Sequence, residues 1–138
     1  MHESLYDVLP FVALATFLGA AILISAGRGL GTNMVWMVPA AFCALFLAWS
    51  FHALWQEGLA GVWVEHSRNA WGNQIWFDLL ISLCVGWALL VPRARAVGMS
   101  PWPWLVLLVC TGGIGLLAML ARCLFLEHNI AIQTRRRK

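Results

Sequence analysis

Long apolar segments fill most of this chain and limit what it can fold into. A helix needs about 20 apolar residues to cross the hydrocarbon core of a bilayer. Four stretches of roughly that length lie at about 8–26, 35–55, 73–91 and 101–126. Only 11% of the 138 residues are charged, whereas a soluble domain carries about 25%. The sequence therefore predicts an all-α fold class, an integral membrane bundle of four transmembrane helices.

The segments predict one transmembrane domain over 1–138, ending in a short basic tail at 129–138. The loop at 57–72 mixes apolar and polar residues, so an irregular loop and a short interfacial helix both stay open. Pro92 is expected to end the third helix, because the residue before a proline is driven out of helical geometry.

Lysine and arginine predict the orientation. Four crossings place both termini on one side, together with Arg68 and the basic tail, and leave Arg28, Arg93 and Arg95 on the other. Cytoplasmic loops carry the excess of basic residues. Both termini are thus expected in the cytoplasm, in a bacterial inner or intracytoplasmic membrane. The tail suits anionic lipid headgroups, and no nucleic-acid partner is expected.

A polar cluster is predicted inside one membrane face. His52, Asp78 and Arg122 each lie a few residues from a predicted helix end, which puts them roughly 5–8 Å inside the same face. Gln74, Asp78 and Ser82 follow one another at helical spacing and form a stripe. If the third and fourth helices are antiparallel neighbours, Asp78 meets Arg122 in a bidentate pair.

Two interpretations of this cluster stay open. In the first, the Asp78–Arg122 pair is structural and sets the register of the two helices. In the second, the cluster is a mouth for a polar headgroup or a small lipophilic ligand, with Arg122 holding an anion and Asp78 acting as acceptor or acid/base. Charges within a bilayer are costly and usually face a partner, which suits either interpretation.

Motif searches yield no catalytic residues and no metal site. The four cysteines lie inside apolar segments and form no CxxC pair, which indicates buried small residues. The glycines Gly112, Gly113 and Gly115 favour a close contact between helices, and a kink in the helix or room for a ligand stays open for the run from Thr111 to Gly115.

One stretch, residues 48–55, resembles the Ala-xxx-His pattern of bacterial light-harvesting polypeptides. In those proteins the histidine binds the magnesium of bacteriochlorophyll. The resemblance implies a pigment contact at His52, with Trp49 and Trp87 beside it, and either carotenoid or bacteriochlorophyll as cofactor.

Two further stretches, 69–82 and 111–117, together with Arg122, resemble a bacterial family of small multi-helix membrane proteins of unknown function. They are also loosely similar to the plant abscisic-acid-deficient-four proteins, which are linked to neoxanthin formation. The resemblance covers about 35–126, and Asp78 matches the family's acidic position. The similarity to the plant proteins implies carotenoid or isoprenoid chemistry.

These observations favour a non-enzymatic accessory subunit, or a lipophile- or pigment-binding component, of a larger membrane complex that could be photosynthetic. Its expected partners are membrane lipids and another integral membrane protein or a second copy of itself. The alternative is an isoprenoid- or carotenoid-modifying enzyme that uses Asp78 and Arg122.

Overall fold

The computed structural model describes residues 3–26 and 35–136, and its described residues are almost entirely helical. They fall into two units, one formed by the first helix and the other by residues 35–136. The helices are α1 (Glu3–Ser25), α2 (Met37–Glu57), α3 (Ala60–Ser67), α4 (Ala70–Ala96), α5 (Pro101–Thr111) and α6 (Gly113–Arg136). The predicted all-helical fold is confirmed.

Three helices of the described residues are long and apolar enough to cross a membrane: α2, α4 and α6. In α1 the stretch with described side chains, Asp7–Ile22, is shorter, and so is the whole of α5. The chain is therefore compatible with a membrane protein; its described residues contain three candidate spans, and the predicted count of four is not confirmed.

The predicted fourth helix is two helices, because the backbone reverses at Gly112. This residue has φ 59° and ψ −126°, a conformation that glycine adopts without steric cost. The Gly112 amide still donates to the Leu108 carbonyl at 2.7 Å and so closes the last turn of α5. Beyond the break α6 continues to Arg136, so the predicted tail at 129–138 is helical as far as that residue.

α4 is longer than predicted and contains Pro92. The turn after the proline is held from outside the helix: Ala94 is fully buried, and Arg93 bonds to Glu127 of α6. Tertiary contacts therefore outweigh the local preference of proline. At the other end, the Asn69 side chain accepts a 2.8 Å hydrogen bond from the Gly72 amide and caps the helix.

Within residues 35–136, α6 is the central helix and packs against α2, α4 and α5. It runs parallel to α4, because Leu116 lies against Gly86 and Glu127 pairs with Arg93, so that both residue numbers rise together. α3 lies at the other end of α4 and connects it to α2.

Two contacts show that α2 runs antiparallel to α6. The Cys43 thiol donates to the Ile114 carbonyl at 3.5 Å. The Trp36 ring meets the Phe125 ring edge-on, with 5.3 Å between centroids. As the residue number rises along α2 from Trp36 to Cys43, it falls along α6.

α5 folds back along the first half of α6 to form the α5–α6 hairpin, residues 101–127. The two backbones approach most closely at Gly115, which faces Leu107 and Leu108. The core beside this hairpin consists of Leu90, Ala94, Met119 and Cys123. Trp104 and Met99, at the entry to α5, pack against the same core.

Candidate functional site

The structure separates the two charged residues that the sequence analysis placed together, Asp78 and Arg122. Gly86 of α4 lies level with Leu116 of α6. Asp78 precedes Gly86 by eight residues and Arg122 follows Leu116 by six, on parallel helices. At about 1.5 Å per residue they are roughly 20 Å apart along the helix axes. The expected pair needed an antiparallel fourth helix, and the reversal at Gly112 removes that arrangement.

The stripe of Gln74, Asp78 and Ser82 lies on α4, with all three side chains exposed. At about 100° per residue, Asp78 lies about 120° around α4 from Leu90, which packs beside α6, whereas Ser82 lies only about 40° from Gly86. Within the described residues the three side chains form no hydrogen bond or ion pair. We call this surface the outer face of α4.

Arg122 lies on α6 at the level of the C-terminal end of α4, where it contacts an aromatic ring. Its guanidinium carbon is 5.7 Å from the centroid of the Phe125 ring, a distance at which a cation is attracted to the face of the ring. Phe125 in turn meets Trp36. The Arg122 side chain itself is exposed.

The three residues predicted as pigment contacts divide between two helices. Trp49 and His52 are neighbours on α2, with 5.3 Å between ring centroids, and His52 is half-buried. Trp87 lies on α4 and packs against the core of the hairpin. The backbones of α2 and α4 do not approach each other closely within the described residues, so the predicted pigment contacts are spread over two separate helices.

An ion pair that the sequence analysis missed joins α4 to α6. Arg93 donates from Nε to Glu127 Oε1 at 2.5 Å and from Nη2 to Oε2 at 2.6 Å. The Cys123 thiol, fully buried, lies 3.7 Å from the same carboxylate. Arg93 was expected in a water-facing loop after Pro92. The sequence feature that could have indicated this ion pair is Glu127, because it is the one acidic residue in an otherwise basic segment, 122–138.

The glycine run lies at the tip of the hairpin. A Cβ on Gly115 would lie 2.7 Å from the Leu108 amide nitrogen, inside the contact distance of real side chains. A Cβ on Gly113 would lie 3.5 Å from the Phe46 ring of α2, an ordinary contact. Of these two positions, Gly115 is therefore the one that requires the absence of a side chain.

No group of residues that could hold a metal ion occurs in the described ranges. Comparison of the chain with protein-family models, with curated proteins and with solved structures finds no match. Two charged features of the described residues stand out: Asp78, which has no ion-pair partner among them, and the arginines near the Arg93–Glu127 pair.

Proposed function

We propose that this protein is a small, non-enzymatic accessory subunit of a larger complex in a bacterial membrane. It associates through the outer face of α4, which carries Gln74, Asp78 and Ser82. The observation that supports this proposal is Asp78, an exposed carboxylate on a candidate membrane span that has no partner in the described chain.

The cost of an unpartnered carboxylate gives the reason for association. Asp78 follows the first residue of α4 by eight positions, or about 12 Å along the helix. A charged residue at the centre of a membrane helix costs about 2.5–3.5 kcal/mol, and less nearer the interface. A cation on a neighbouring helix offsets this cost. The partner is therefore a transmembrane helix with a lysine or arginine at the depth of Asp78.

A second copy of this chain is a poorer partner than a different protein. In two copies inserted the same way, Asp78 lies at one depth, so like charges would face each other. Arg68, the described arginine at this end, is already paired with Glu65 at 3.3 Å.

The packing of α4 agrees with an accessory role. Only 6% of the most apolar stretch of α4 is buried within the described chain, the same share as in α2, against 22% in α6. Most of the α4 surface is thus free for lipid or for another protein. The alternative, an isoprenoid- or carotenoid-modifying enzyme, needs Asp78 and Arg122 around one ligand, and the roughly 20 Å between them disfavours it.

Substitutions that separate charge from shape test the proposal. Asp78→Asn keeps the size but removes the charge, whereas Asp78→Glu keeps the charge. We expect the asparagine variant, extracted from native membranes in mild detergent, to shift from a large species to the isolated chain on size exclusion. The glutamate variant should stay in the large species, because it still pairs with a cation.

Glu57→Gln is the matched control, since it neutralises another exposed acid, at the end of α2, that forms no ion pair within the described residues. It should leave the large species intact. A wild-type protein that elutes as the isolated chain, or equal loss of the large species in Asp78→Asn and Glu57→Gln, contradicts the proposal.

A further inference from the structure

The charges of residues 35–136 are divided unequally between the two ends of this unit. The basic end, defined by the last turns of α4 and the later turns of α6, carries one acid and five arginines: Glu127, Arg93, Arg95, Arg122, Arg135 and Arg136. The opposite end carries three acids and one arginine: Glu57, Glu65, Asp78 and Arg68. The unit is therefore strongly polarised along its helices.

The α5–α6 hairpin causes this polarity. α5 has 11 residues and spans about 16 Å, half the thickness of a hydrocarbon core of about 30 Å. It turns at Gly112, near Leu83 of α4, which is close to the middle of that helix. α6 therefore leaves at the same end as α4. One continuous helix in place of the hairpin would have carried Arg122, Arg135 and Arg136 to the opposite end.

Most arginines of the basic end are available to a ligand. Glu127 is held by Arg93, and within the described residues no carboxylate pairs with Arg95, Arg122, Arg135 or Arg136, whose side chains are exposed. Trp102, at the first turn of α5, is 73% exposed at the same end. Exposed tryptophan is typical of the headgroup level of a membrane.

From this arrangement we infer that the basic end binds anionic phospholipid headgroups. The phosphate of a headgroup is the complement of a guanidinium that has no carboxylate partner. The cytoplasmic leaflet is negatively charged, and each arginine near such a surface strengthens binding about fivefold. The same charges place the basic end on the cytoplasmic side, so that α5 and α6 enter and leave the membrane from that side.

Lipid titration of the purified full-length protein tests this inference. The protein is delipidated in a neutral detergent and titrated with phosphatidylglycerol or phosphatidylcholine, and bound lipid is counted by native mass spectrometry. We expect phosphatidylglycerol to bind at least tenfold more tightly. Arg122→Gln should reduce this preference about fivefold, and Arg122→Lys should retain it.

Arg68→Gln is the matched control, because it removes one arginine from the opposite end and should leave the preference unchanged. Should Arg122→Gln fail to fold, Arg95→Gln carries the same expectation. Equal binding of the two lipids by the wild type would overturn the inference. So would an Arg68→Gln variant that loses as much preference as Arg122→Gln or Arg95→Gln.

Discussion

A methyl group added at Gly115 tests the hairpin, because it would meet backbone rather than a movable side chain. In Gly115→Ala the new Cβ lies 2.7 Å from the Leu108 nitrogen and 2.8 Å from the Leu107 carbonyl carbon. Overpacking of this kind costs about 1–3 kcal/mol, and the better helix propensity of alanine returns less than about 1 kcal/mol. We expect a net loss of about 1–2 kcal/mol in the stability of the hairpin.

The buried thiol of Cys123 reports opening of the hairpin. In a variant whose other three cysteines are alanine, maleimide labelling of Cys123 in detergent should become about 5–30-fold faster with Gly115→Ala. Gly113→Ala is the control two residues away, where the new Cβ lies 3.5 Å from Phe46. It should label at the parent rate. Equal labelling rates in the two variants would refute the close approach at Gly115.

Two further predictions concern the ends of α4. A double-mutant cycle of Arg93→Ala and Glu127→Ala should give a coupling of about 0.5–1 kcal/mol in detergent unfolding, since the side chains are 48% and 32% exposed; additive single effects would refute the pair. Reporter domains at 97–100 and at the C-terminus should both be active in the cytoplasm, and one inserted at Gly58 should not. Opposite sides for the first two would contradict the hairpin topology.

Composition and apolar length were enough to predict helices of membrane length, because the backbone N–H and C=O groups of a segment in lipid must form their hydrogen bonds within the protein, as they do in a helix. The apolar pattern of the sequence predicted α2 to within about two residues at each end. It also allowed a short helix in the loop at 57–72, where α3 lies at Ala60–Ser67. Whether α3 lies on a membrane surface stays a prediction.

The glycine run allowed a kink in the fourth helix, but the full reversal at Gly112 was not predicted, because glycine also occurs inside straight membrane helices, where it serves packing. The backbone conformation of Gly112 sets the direction of α6, and with it the positions of the charged residues that α6 carries. With a continuous fourth helix Asp78 and Arg122 fall at one depth, and with the hairpin they fall at opposite ends of α4. The Arg93–Glu127 pair was missed for the same reason, since the hairpin is what makes α4 and α6 parallel.

Photocrosslinking from α4 tests the central claim, that its outer face binds another membrane protein. A photoreactive residue is placed at Ser82, which is exposed, or at the adjacent half-buried Leu83, which lies near Gly112 of the hairpin. After irradiation of intact cells, position 82 should give one discrete adduct larger than the 15.3 kDa chain, lost in Asp78→Asn, and position 83 should give none. Labelling of lipid alone from position 82, or the same adduct from both positions, would contradict the account.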